Sequence, residues 1–204
     1  MKKLSTLISI IVLFFYLSVP ISAATYTDHV FYGNFSDLPS PCCFSKNNVT
    51  WWVASTGPIS ESTNAASKWG TQSVWIDFVR HYSLSSSTML QVQRDNNLPS
   101  GVGGVTYYYN SSRNMISGSN VKSGTNFKYA GIFINMNAVS GWTTAQKNMN
   151  TGHEFGHAMS LGHFEDGGFS GRHTGDHWMH SGKRSMNSPS TTDGSHYRVK
   201  WESR

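Results

Sequence analysis

Hydrophobic and polar positions along the chain fall into short stretches of two kinds. VTWWVA at 49–54 is rich in β-branched and aromatic residues, VWIDFV at 74–79 and TMLQVQR at 88–94 alternate apolar with polar, and VTYYY at 105–109 and AGIFINM at 130–136 continue the series. These stretches predict five strands. Between the first two, 60–69 places Ala65, Ala66 and Trp69 on one helical face, with Ser60 or Ser62 near its N-cap. A longer helix starts after Thr143, which forms a capping-box pattern with Gln146 and precedes Ala145, Met149, Phe155, Ala158 and Met159. Gly152 and Gly156 weaken that helix by up to about 1 kcal/mol each, a loss that close packing against the sheet would offset. A last helix is expected over 192–201. The stretch 26–48, rich in Pro, Ser and Asn, reads as an extended arm, and 110–126, rich in Ser, Asn and Gly, as a mobile loop.

Composition adds the setting. The 204 residues, 38% hydrophobic and 13% charged, suit one globular domain over 25–204. Ahead of it, Lys2 and Lys3, an uncharged run over 7–19, Pro20 and the small residues Ser22, Ala23 and Ala24 read as a secretory signal peptide over 1–24. As a membrane span that run is too short. Its removal lowers the formal charge from +5 to +3, since two lysines go and no acidic residue does. No block of Lys and Arg alternates with aromatics, so nothing supports nucleic-acid binding. Cys42 and Cys43 are the only cysteines. Adjacent cysteines suit a mutual disulfide poorly, which leaves free thiols, an uncommon vicinal bridge or intermolecular pairing.

The chemistry concentrates in HEFGHAMSLGH at 153–163. At 3.6 residues per turn His153 and His157 project from one face a turn apart, close enough for both rings to reach one zinc ion at about 2.0–2.1 Å. Glu154, the next residue round, lies beside the metal without ligating it, which suits a base taking a proton from an activated water. A continuing helix would carry His163 roughly 15 Å along the axis from His153, so the helix must end first. Gly162 is the obvious residue for a left-handed cap and Ser160 an earlier alternative. A reversal there brings His163 back as the third protein ligand.

The run HExxHxxSxGH resembles the zinc signature of the metzincin metallopeptidases, HExxHxxGxxH, and HEFGH with a third His six residues on is most similar to the matrixin branch. The resemblance implies one catalytic Zn2+ held by His153, His157 and His163, with Glu154 as catalytic base. It implies an α+β fold: a five-stranded mixed sheet, a zinc-binding active-site helix and a small, loop-rich C-terminal subdomain, an element order that 49–163 follows. The fourth strand would take the place of the family's edge strand, along which an extended peptide adds as a further strand. Ser160 departs from the family's turn glycine. Serine adopts a left-handed backbone less readily, so the helix is expected to run on and turn at Gly162. In the family a tight turn after the third ligand sets a methionine under the zinc. Met186, in SMNSP, is favoured for it over Met179, in HWMHSG. No tyrosine follows Met186 by two residues, so the zinc-ligating tyrosine of some branches has no counterpart. Matrixins often bind structural ions in the loop corresponding to 110–126, but its only charges here are Arg113 and Lys122, which does not indicate a calcium site built on carboxylates.

Other groups near the motif have plainer readings. His173, His177 and His180, with Asp176 among them, have spacings a second metal site could use, yet their Gly-rich context favours loop histidines lining the substrate cleft. Glu165 or Asp166 would suit a hydrogen bond to the second nitrogen of a ligand histidine. A thiolate from Cys42 or Cys43 capping the zinc in a latent form is disfavoured, because LPSPCCFSK lacks the family's propeptide motif. The expected function is that of a secreted, extracellular zinc-dependent metalloendopeptidase acting on protein or peptide, without stable membrane association after signal cleavage. The alternative is a secreted zinc-containing binding protein of the same fold, without peptidase activity, for a cell-wall, carbohydrate or protein ligand. Ser160 and the seven Trp and nine Tyr would fit that alternative. Another HExxH class with a distant carboxylate as third ligand is a further reading.

Overall fold

A computed structural model describes residues 31–33, 47–167 and 175–202. The expected signal peptide, Cys42, Cys43 and His173 lie outside these. Strand β1, Asn47–Val53, buries Val49, Trp51 and Val53 and turns the residues between them outward, the period-two pattern of a sheet covered on one face. Helix α1, Ile59–Gly70, buries Ser62, Ala65, Ala66 and Trp69. Its N-cap is Pro58 rather than a serine, and the Ser62 N–H already donates to the Pro58 carbonyl at 2.9 Å. Ser60 and Ser62 are therefore internal to the first turn and cannot cap it.

Strands β2, Ile76–Arg80, β3, Leu90–Arg94, β4, Gly104–Tyr109, β5, Met115–Ile116, and β6, Tyr129–Ile134, complete one sheet in the order β2-β1-β3-β6-β4-β5. The pairs β1–β2, β1–β3 and β3–β6 are parallel, and β4 runs antiparallel to both β6 and β5. The sheet is mixed, as expected, but has six strands rather than five. The extra one lies inside 110–126, the stretch that reads as a loop. Asn110 Oδ1 accepts the N–H groups of Ser112 and Asn114, both at 3.0 Å, and the chain returns Met115–Ile116 onto Tyr108 and Tyr109. Helix α2, Gly118–Lys122, follows, with the Ser117 hydroxyl accepting the Asn120 N–H and Val121 fully buried. Side chain to backbone bonds thus order a composition that looks structureless.

Helix α3, Thr144–Ala158, begins at the expected capping box, with both reciprocal bonds between Thr143 and Gln146 made. It packs on α1, β4 and β6. A methyl group on Gly152 would lie 2.2 Å from the Trp178 ring, and one on Gly156 would lie 2.2 Å from Met179 Sδ. The two residues that weaken the helix are the two that admit the chain crossing beneath it. Helix α4, Thr191–Glu202, closes the core: Tyr197 stacks on Trp69, and Trp201 Nε1 donates to the Met159 carbonyl at 3.1 Å. No helix among the described residues is long and apolar enough to cross a membrane.

Candidate metal centre

His153 and His157 stand one turn apart on α3, and the chain brings His163 to them. Each pair of Nε2 atoms in the trio is 3.0 Å apart. Three imidazoles sharing one ion at zinc-like bond lengths of about 2.0–2.1 Å need their nitrogens roughly 3.3 Å apart, so the spacing fits a single small cation. This trio is the one group of three or more His, Cys, Asp or Glu among the described residues whose geometry suits a metal.

The other ring nitrogens decide which lone pairs are offered. His153 Nδ1 lies 2.5 Å from the Trp178 carbonyl and His157 Nδ1 lies 2.8 Å from the Leu161 carbonyl. A carbonyl only accepts, so both Nδ1 atoms carry hydrogen and both Nε2 atoms present lone pairs to the shared point. Burial holds His153 neutral, its pKa lowered to about 3, with the neighbouring His163 adding to the effect. Burial likewise lowers His157, and it lowers His163. Nδ1 of His163 faces Asp166 Oδ2 at 3.8 Å, and that carboxylate is anchored by Lys122 Nζ at 2.8 Å.

The turn that delivers His163 is at Ser160, not at Gly162. Ser160 has φ 71, and the N–H groups of Ser160 and Leu161 close on the His157 and Gly156 carbonyls at 2.8 and 3.0 Å, the paired bonds of a Schellman cap. The cost of a side chain in this left-handed conformation is offset by partners: Ser160 Oγ donates to the Gly33 carbonyl at 2.6 Å, and the Ser160 carbonyl accepts the Tyr32 N–H at 2.8 Å. The same arm segment lays the Tyr32 ring against His157, centroids 5.6 Å apart and 14° from parallel. Nothing in the sequence marks residues 31–33 as part of the site.

Beneath α3 the methionine is Met179. It is fully buried with its sulfur against Gly156, whereas Met186 is only partly buried at the edge of the core. The choice is made by Asp193, a fully buried carboxylate in the first turn of α4. Its Oδ2 accepts the Trp178 N–H at 2.8 Å and its Oδ1 the Met179 N–H at 3.0 Å, while Ser190 donates to Oδ2 through both N–H and hydroxyl. The peptide between Trp178 and Met179 therefore joins a carboxylate on its N–H side to His153 on its carbonyl side. Its polarisation makes the His153 ring a stronger donor toward a metal. His177 and His180 are buried around Phe164, and His177 Nδ1 lies 2.7 Å from Ser190 Oγ. They do not line the cleft, contrary to expectation, because the bonds to Asp193 draw this turn inward.

Glu154 shares a cleft of about 500 Å3 with the three histidines, Tyr32, Trp142 and residues 101–106. Thr106 Oγ1 donates to Glu154 Oε2 at 2.8 Å. Burial pushes the carboxyl up to about 7, against the lowering effect of that hydrogen bond. Strand β4 is paired by β5 only at Tyr108 and Tyr109, so Gly104–Tyr107 presents an edge along the cleft to which no described strand pairs.

The class of site is thus a three-histidine cluster, two of its rings buried and the third partly so, beside a carboxylate on a mixed sheet flanked by helices. No protein-family model matches the chain, and no curated protein matches it. Among solved structures it is similar to myroilysin: one structure is 13% identical and covers 80% of this chain and 97% of its own at a TM-score of 0.45. A second, a crystal structure of myroilysin, is 14% identical and covers 87% of this chain and 93% of its own at a TM-score of 0.47.

Proposed function

We propose that the chain is a secreted zinc metalloendopeptidase of metzincin type, with the matrixin-like motif HEFGH at its centre. The observation that carries this reading is the convergence of three Nε2 atoms at 3.0 Å from one another, with two Nδ1 atoms committed to carbonyls, in a cleft that also holds the Glu154 carboxylate. Neutral imidazoles with pre-oriented lone pairs fit Zn2+. Zinc held by His153, His157 and His163 would supply Lewis acidity toward a scissile carbonyl and toward water.

The remaining work falls to the chain. Thr106 occupies Glu154 Oε2 and leaves Oε1 to accept the proton of the attacking water and pass it to the leaving amine. A side chain on Gly104 would approach Oε1 to 3.1 Å, so glycine there keeps that oxygen accessible. A cation beside Glu154 favours its charged form and so counters the rise due to burial. Peptide lies along the Gly104–Tyr107 edge by strand addition, its backbone bonded to β4. The non-peptidase alternative drew on Ser160, and Ser160 makes the turn.

The test is cleavage of a denatured protein or a peptide library by the mature chain loaded with zinc, alongside Glu154→Ala. The expected result is cleavage by the wild type, loss of it in the variant, and one zinc per chain in both. A zinc-loaded wild type that cuts nothing would overturn the proposal.

A further inference from the structure

The opposite face of the sheet carries a second concavity. Leu90, Val92, Ala130 and Ile132 point into the core, so Gln91, Gln93, Gly131 and Phe133 between them face outward, away from α3. There Gln91, Gln93, Tyr109, Arg113, Tyr129 and Phe133 surround a hollow of about 210 Å3 over Gly131. Pairing puts Gly131 between Gln91 on β3 and Tyr107 on β4. The missing side chain lets two rings close over the strand and wall the hollow: a methyl at Gly131 would meet the Phe133 ring at 2.8 Å and the Tyr109 ring at 3.2 Å.

Neither the Gln91 nor the Gln93 amide has a hydrogen-bond partner among the described residues, and no described carboxylate pairs with Arg113. Arg113 is the one charged residue lining the hollow. Its guanidinium lies 3.9 Å from the centre of the Tyr129 ring, and its backbone is held at φ 63, a left-handed conformation costly for a residue other than glycine. A strained backbone holds this cation where no described residue gives it an anion.

These features select a ligand chemistry. Strands β3 and β6 are interior to the sheet, with neighbours on both sides, so strand addition is closed to a ligand here. Recognition must come from side chains. Aromatic rings offer flat faces to the C–H side of a sugar ring, and an amide both donates and accepts, which matches hydroxyl groups that do the same. A guanidinium forks onto a carboxylate. We propose that this hollow is a second binding site, for a saccharide bearing carboxylates, on the face of the sheet away from the metal centre.

The experiment is calorimetric titration of the mature chain with tetragalacturonate and, in parallel, with the neutral chitotetraose. Tetragalacturonate should bind more tightly. Its affinity should fall about tenfold or more in Arg113→Gln and in the Gln91→Ala/Gln93→Ala double variant, as expected for loss of a charged hydrogen bond or of two neutral ones. Glu154→Ala should leave it unchanged, which separates this site from the cleft. Thermal melts establish that the variants are folded, and the exposure of Arg113 makes its substitution the safer of the two. No binding of tetragalacturonate, equal or tighter binding of chitotetraose, or undiminished affinity in both folded variants would overturn the proposal.

Discussion

The two ends of helix α3 are held by different kinds of chemistry. At the start, Thr143 and Gln146 satisfy each other's backbone groups from three residues apart, a device that works in any fold. At the finish, Ser160 sits in a left-handed turn whose hydroxyl bonds to Gly33, 127 positions away, and the face between the ends rests on Trp178 and Met179, held by Asp193. The first end makes a helix and hence a pair of histidines. Only the second brings three histidines to one point, because it directs His163 and fixes the second nitrogen of His153.

This contrast can be broken at several points. Gly152→Ala should have the largest effect: added helix propensity of at most about 1 kcal/mol is outweighed by overlap with the Trp178 ring, for a net loss of roughly 3 kcal/mol. Denaturant unfolding measures it, and a stabilised variant would mean that Trp178 does not pack there. Asp193→Ala should cost roughly 2–3 kcal/mol by leaving backbone N–H groups unpaired. It should also weaken zinc binding about 10–100-fold, read by competition with a chromophoric chelator. Unaltered zinc affinity in a folded variant would refute the link through the Trp178–Met179 peptide.

Ser160 separates strain from bonding. Ser160→Ala keeps the left-handed strain and loses the hydrogen bond to Gly33, for a cost of about 2 kcal/mol. Ser160→Gly loses the same bond but relieves about 1 kcal/mol of backbone strain, so it should be the more stable of the two, by the same denaturation measurement. The reverse order would show that the turn is not strained. Glu154→Gln tests the buried carboxyl in the metal-free chain. A folded pKa raised to about 7 penalises the wild type as pH rises from the ordinary carboxylate range through 7. The variant should therefore gain nothing near pH 4 and on the order of 3 kcal/mol at pH 8. A pH-independent difference in melting would contradict the assignment. Smallest is Thr143→Ala, about 1 kcal/mol, and zinc affinity should not change with it.

Much of the framework was legible because it depends on local pattern. β1, β3, β4 and β6 follow from β-branched and aromatic alternation, and α3 from its cap and apolar stripe. The segment 110–126 was misread because its order comes from asparagine and serine side chains bonding nearby backbone, which composition equates with loop. One signal was available: Ser117, Asn120 and the apolar Val121 form a short cap followed by a buried position. Local turn chemistry in SMNSP favours Met186, but a carboxylate fourteen residues beyond Met179 sets that residue beneath the helix.

The sequence by itself determined the spacing of His153, Glu154 and His157 on one helix, because 3.6 residues per turn is a property of the backbone. It also determined that the helix must end before His163, since a straight one carries that ring out of reach. Tertiary structure alone decided where the helix turns, which methionine lies beneath it and which histidine nitrogens face the shared point. Each of these rests on a hydrogen bond or packing contact between residues remote in the chain, and such contacts leave no periodic trace in the order of residues.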